Sequence, residues 1–338
     1  MPQSDIKGVT RDDEFWADDV HVVLIAQGTA FRVRKEALSS VSPVFADMFK
    51  NAQPGEETWD GCPMVRLSDS AVDLRRFLNV VVKVGIDAFE EDCTRWRSRG
   101  NELVCSVLAS VVRVAHKYQA DRVANAAADR IEKAVDYAPW RQDGRDLEKH
   151  APGKITLLNA GVKITLPQDA VEAVNLARII NRRAWLPHAL HLCCSVGDLD
   201  TLRRGITRDD GQVEALSEDD YARCKRAVPL LEALCCETAL RTYDPSNKYL
   251  FRRCIVKAGL CEGAVKGLLV AFALKDIQAN ILNLSCENAR YDPQYRLHVG
   301  LCSQCHGGML EHVKSLDRMA IRKLPACFAL DREDTLMN

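Results

Sequence analysis

At 338 residues, with Lys+Arg 46 against Asp+Glu 47 and a net charge of −1, the chain has no excess of either sign. That balance argues against broad nucleic-acid binding, although a local basic face would survive the averaging. An apolar content of 47% beside 28% charged residues fits a soluble globular protein of one to two domains, and no apolar run approaches the roughly 18 residues of a membrane span.

Residues 1–17 are polar and acidic, a flexible lead with Trp16 as its one anchor, and they lack the apolar core of a signal peptide. The expected compartment is therefore reducing, cytoplasmic or nuclear, and the 14 cysteines read as buried thiols or metal ligands. Val20, Val22, Val23, Leu24 and Ile25 have strand composition, and Gln27-Gly28-Thr29 marks a reversal. Phe31 and Val33 then alternate with Arg32 and Arg34, as in a strand with one wet face. A short helix is predicted over Lys35 to Val41. Ser42-Pro43 starts another, because a serine caps the free amides and proline has none to leave unpaired. Phe45, Met48 and Phe49 give that helix one apolar stripe.

A Pro- and Gly-containing loop follows, then a short strand over Met64 to Leu67. Leu74, Phe77, Leu78, Val81 and Val82 have the spacing of an amphipathic helix. The charged stretch from Gly85 to Gly100 is expected to be a surface loop. Val104, Val107, Leu108, Val111, Val114, Ala115 and Tyr118 form the longest helical stripe, and Val123, Ala127 and Ile131 continue in a further helix.

Several of these strings together resemble the BTB (POZ) domain, a protein–protein interaction module. They are Asp19-Val20, Phe31-Arg32-Val33-Arg34-Lys35, Ser42-Pro43-Val44-Phe45 with Met48-Phe49, Val65 to Asp69, and Val114 to Gln119. Arg34 stands where the family usually has histidine. The resemblance implies an α+β domain over 18–137, a small sheet with packed helices. It also implies a homodimer whose surface includes Asp19, Arg34, Lys35, Leu38 and Val41. In this family a lead segment sometimes adds a strand across the dimer. Several BTB families are cullin-3 ubiquitin-ligase adaptors. The corresponding loop here, Ala52 to Trp59, has acids but lacks the apolar-x-Glu motif those adaptors carry.

Residues 138–153, rich in Pro, Gly and charge, read as a linker between this domain and a mostly α-helical region over 154–330, with 331–338 as a tail. Two apolar runs flank Asn159-Ala160-Gly161, suggesting a hairpin. Val171, Val174 and Ala177, then Cys224, Ala227, Val228, Leu231 and Leu234 behind a Ser217 cap, and Val265, Leu268, Leu269 and Phe272 mark helices. Asn175 to Arg178, Leu186 to Leu190, Leu216 to Asp220 and Leu301-Cys302-x-x-Cys305 resemble the helical extension of fungal BTB-domain proteins. That extension has no activity attached to it.

Four groups of residues invite a chemical reading. Cys302-Ser303-Gln304-Cys305-His306 matches a haem-attachment string, which belongs to oxidising compartments. Zinc is the better rival: a C-x-x-C pair needs two more ligands, and Cys286, His306, His312 and Cys327 are the candidates. The plain alternative is two thiols packed in a helical core. His188, His191, Cys193 and Cys194 form a second cluster, lying among leucines as core residues do. Cys235-Cys236 sits in an apolar helix, with burial its default. The acid pairs Glu56-Glu57, Glu90-Glu91 and Asp219-Asp220 fit solvated faces or helix starts. No phosphate-loop, dinucleotide or nucleophile-elbow motif occurs. The expectation is a non-enzymatic interaction protein without a cofactor. The alternatives are a cullin-3 adaptor and a zinc-containing transcription-associated factor.

Overall fold

The computed structural model describes residues 8–16, 22–51, 57–94, 103–136, 148–149, 155–159, 162–195, 198–208, 210–256, 258–273 and 300–330. Their fold is mixed α+β: a small sheet near the N-terminus, with helices after it. The chain divides into two units. The first comprises Met1–Ala134, Ala160–Lys163 and Thr207–Val213, and the second comprises the remainder.

The sheet of the first unit contains β1 (Thr10–Trp16), β2 (Val22–Ala26), β3 (Thr29–Val33), β4 (Thr58–Trp59) and β5 (Cys62–Leu67), in the order β1-β3-β2-β5-β4. Strands β2 and β3 pair antiparallel, Val22 opposite Val33 and Ala26 opposite Thr29. The two residues between them, Gln27 and Gly28, both have positive φ (45° and 76°), the reversal whose twist suits a tight hairpin. All of β2 is buried, since it lies between β3 and β5 and both its faces are covered. That explains its unbroken apolar composition. Strand β5 runs parallel to β2 and antiparallel to β3, so the chain between β3 and β5 passes β2 to reach its other side.

Strand β1 corrects the expectation of a flexible lead. It pairs parallel with β3 of its own chain, with a register shift between Arg11 and Trp16. At that irregularity the Asp12 carboxylate accepts the amides of Glu14 and Phe15 and the Nε of Arg75 at 2.7 Å. The acidic sequence hides the strand because the carboxylate that breaks its apolar pattern is the group that fixes it.

Helices α1 (Lys35–Val41) and α2 (Pro43–Lys50) follow the sheet's hairpin. Ser42 caps α2 as predicted, its Oγ accepting the Phe45 amide at 3.0 Å. Helix α3 (Ala71–Leu78) runs into a π-helical turn over Asn79–Val84, and Gly85 (φ 83°) ends it. The wider turn rotates the following side chains. Val80 faces inward at 5% exposure, whereas Val82, assigned to the apolar stripe by spacing, is 36% exposed. Helix α4 (Ile86–Thr94) occupies a stretch expected to be loop; Phe89 is buried, and Arg122 pairs with Asp87 and Glu90 across it. A two-residue strand, β6 (Leu103–Val104), precedes α5 (Cys105–Lys117) and α6 (Asp121–Asp136). Leu108, Val111, Val114 and Ala115 of α5 and Val123, Ala127 and Ile131 of α6 are all buried, as the two stripes predict.

In the later chain, β7 (Glu148–Lys149), inside the stretch read as linker, pairs antiparallel with β8 (Ile155–Asn159), and β9 (Val162–Leu166) neighbours β8. Helices α7 (Gln168–Ile179), α8 (Leu186–Cys194) and α9 (Leu199–Arg204) come next. Trp185, fully buried, ties α7 to the start of α8 by donating to the Ala173 carbonyl at 3.0 Å. A small hairpin, β10 (Ile206–Thr207) and β11 (Val213–Glu214), precedes α10 (Glu218–Thr242), which Ser217 caps through the Asp220 amide. Then come α11 (Lys248–Phe251), α12 (Ala258–Ala273) and α13 (Ser303–Cys327). Helices α10 and α13 run antiparallel. Arg223 early in α10 donates to the carbonyls of Phe328 and Ala329, and His312 contacts the Arg241 carbonyl near the other end. Among the described residues no helix is long and apolar enough to cross a membrane.

Candidate functional site

The residues assigned to a docking surface have different fates. Asp19 lies outside the described residues. Arg34, at the cap of α1, and Lys35, in its first turn, are exposed, and Val41 is partly buried. Leu38 corrects its assignment: it is fully buried and anchors α1 to the core, so it cannot meet a partner. Of the loop weighed for cullin binding, 52–56 are outside the described residues. Trp59 is buried, its ring edge-on to Trp16 with centroids 5.2 Å apart and the Arg11 guanidinium over both rings.

Behind α1 and α2, three sequence strings far apart in the chain meet. The Phe45 ring stacks on Tyr118 with centroids 4.2 Å apart, and Ser42 Oγ donates to the Tyr118 carbonyl. Tyr118 Oη donates to Asp69, which also accepts Lys117 Nζ at 2.8 Å. Burial, together with the Asp69 carboxylate beside it, pushes the Tyr118 phenol above its usual range.

The C-terminal region brings together a group that spacing only half reveals. Cys254 in the turn after α11, Cys261 in the first turn of α12, and Cys302 and Cys305 at the start of α13 have sulfurs all within 4.8 Å of one another. The sulfurs of Cys254 and Cys261 are 3.6 Å apart, and those of Cys302 and Cys254 are 3.9 Å apart. Cys261 and Cys305 are buried, whereas Cys254 and Cys302 are partly exposed. Backbone amides point at the sulfurs: Cys302 N–H donates to Cys261 Sγ, and Cys305 N–H to Cys302 Sγ, each at 3.4 Å. Burial alone would raise the Cys302 thiol, but the amides of Ile255 and Cys305 bring it down to about 6. Burial pushes the Cys305 and Cys261 thiols up.

Cys302 and Cys305 are therefore joined by Cys254 and Cys261, and not by the partners the sequence suggested. His306 is not among the four, and Cys286 is outside the described residues. His312 is engaged with Arg241 and Asn247, and Cys327 is at the far end of α13, about 30 Å away along the helix axis. The missed signal was Cys254-x₆-Cys261, wider than the usual zinc-ligand pair spacing.

Among the described residues no second group of metal-ligating side chains converges in this way. His188, His191, Cys193 and Cys194 are all buried. Burial raises the Cys193 thiol, and Cys194 is raised by its hydrogen bond with Cys224 and by burial. Those thiols act as small apolar core residues. Cys235 is buried and Cys236 partly so. A shallow pocket of about 580 Å³ beside the start of α10 is lined by Arg178, Asp220 and Arg223. There the buried Asp220 carboxylate is gripped by Arg178 at 2.7 and 3.2 Å, so its charge is already matched.

No family model, curated protein or solved structure matches this chain.

Proposed function

We propose that the chain is a protein-docking protein whose first unit has the BTB fold and self-associates, offering the exposed start of α1 to its partner. The observation that carries this reading is the meeting of Ser42-Pro43-Val44-Phe45, Asp69 and Tyr118 in one packed, hydrogen-bonded cluster. These are strings through which the sequence resembles that family, separated by up to 76 positions, and a chance likeness has no reason to converge. The same cluster fixes α2 behind α1, so Arg34 and Lys35 are presented on a braced helix. A braced charged face suits recognition, because little side-chain and backbone freedom remains to be lost on binding.

The test is co-purification of two differently tagged copies expressed together. The wild-type copies should capture each other, and Arg34→Glu with Lys35→Glu should weaken capture while circular dichroism stays unchanged. Absence of capture between wild-type copies, or capture indifferent to the reversed charges, would contradict the proposed surface.

A further inference from the structure

We propose that Cys254, Cys261, Cys302 and Cys305 bind one zinc ion in a closed tetrathiolate site that pins the start of α13 to the junction of α11 and α12. Zinc–sulfur bonds of about 2.3 Å in a tetrahedron place neighbouring sulfurs about 3.8 Å apart. The separations of 3.6 and 3.9 Å fall on either side of that edge length. Four sulfurs at this mutual distance suit a single ion; a multi-iron cluster would need to hold its cysteines farther apart.

Packing alone does not explain why four sulfurs converge on one point. Cysteine that merely fills a core is buried as a small apolar side chain, yet Cys254 and Cys302 reach the surface. The other walls are ordinary core: Leu250, Val265, Leu301 and Met309 surround the two inner sulfurs. The outer pair packs at the edge of that core with its sulfurs turned to the inner two. Backbone amides aimed at sulfur, with Cys302 at the N-cap and Cys305 in the first turn of a 25-residue helix, favour the thiolate that a metal needs.

The donor set also specifies the kind of site. Four sulfurs and no coordinating carboxylate or imidazole select zinc or mononuclear iron over hard cations. A tetrahedron already filled by protein ligands leaves no position for water or substrate, so the ion is structural. Its mechanical effect follows from chain distance. Cys254 and Cys261 are 7 positions apart and Cys261 and Cys302 are 41 apart, so one ion closes one long loop between the two pairs. On binding, each thiol loses a proton to solvent and the zinc gains four thiolates, with no change of oxidation state. The proposal is independent of whether the first unit docks partners.

The test uses the full chain, purified under reducing conditions without chelator and measured by elemental analysis. About one zinc per chain is expected, and Cys302→Ser with Cys305→Ser should lose it while Cys236→Ser retains it. Should the double variant fail to fold, wild-type protein stripped and reloaded with cobalt supplies a second readout. It should develop the intense sulfur-to-cobalt absorption of a tetrathiolate site, abolished by an equivalent of zinc. A folded wild-type chain that takes up neither zinc nor cobalt would overturn the proposal. One iron per chain in place of zinc would overturn the choice of ion.

Discussion

Asp73 in the first turn of α3 accepts a hydrogen bond of 2.6 Å from Arg208, a residue 135 positions later in the chain. The two side chains are 8% and 9% exposed, and Arg113 adds a second guanidinium at 3.1 Å, while Asp210 holds the other side of Arg208 at 2.7 Å. This buried network attaches the segment Thr207–Val213 to the first unit. Removing the shared carboxylate should be the larger perturbation, because two guanidinium groups lose it together. Asp73→Ala is expected to destabilise the chain by about 3–5 kcal/mol, and Arg208→Ala, which leaves Arg113 in position, by about 1–3 kcal/mol. Urea unfolding followed by fluorescence would measure both. Equal effects would show that stranding Asp210 costs as much as stranding Arg113.

The same carboxylate sets a pH dependence. Burial of Asp73 raises its pKa, but Arg113, Ser110 and Arg208 outweigh that and hold it below the ordinary value of 3.8. A carboxyl whose folded value is depressed stabilises the fold fully above its unfolded value. That contribution is lost as pH falls through the lower, folded value. Stability should therefore decline below about pH 4, and Asp73→Asn should flatten that limb. An unchanged acid limb in the variant would assign the decline to other carboxylates.

Tyr118 separates its ring from its hydroxyl. Tyr118→Phe keeps the stack on Phe45 and loses only the bond to Asp69, which retains Lys117, so about 1–2 kcal/mol is expected. Tyr118→Ala removes the ring as well and should cost about 3–5 kcal/mol. Thermal melts of the two variants against wild type would resolve the difference.

The π-helical turn after α3 predicts an inversion of what spacing implies. Val80→Ala should cost about 1–2 kcal/mol, while Val82→Ala should stay within about 0.5 kcal/mol. A regular helix through Val84 would make Val82 the more sensitive of the two.

Local patterns made much of this fold legible. The hairpin around Gln27-Gly28, the Ser42 and Ser217 caps, and the stripes of α5 and α6 all rest on short-range chemistry that spacing records. Longer-range features were hidden. Strand β1 is acidic because Asp12 serves the bulge and Arg75, and the short stripe of α4, Ile86 and Phe89, is interleaved with acids that give the stretch the composition of a loop. Helix α3 kept its 3.6-residue spacing on paper while the backbone widened underneath it. At the cysteine site half the group was visible as Cys302-x-x-Cys305. The other half depended on tertiary convergence across 41 to 48 positions, which spacing does not encode.

The central claim, a first unit that docks to another copy of itself, is tested most directly by the mass of the full chain in solution. Light scattering at low-micromolar concentration should give twice the chain mass of 37.7 kDa, falling toward the single-chain mass when Arg34 and Lys35 are both reversed to glutamate. A wild-type chain that remains at 37.7 kDa over the whole accessible concentration range would contradict it.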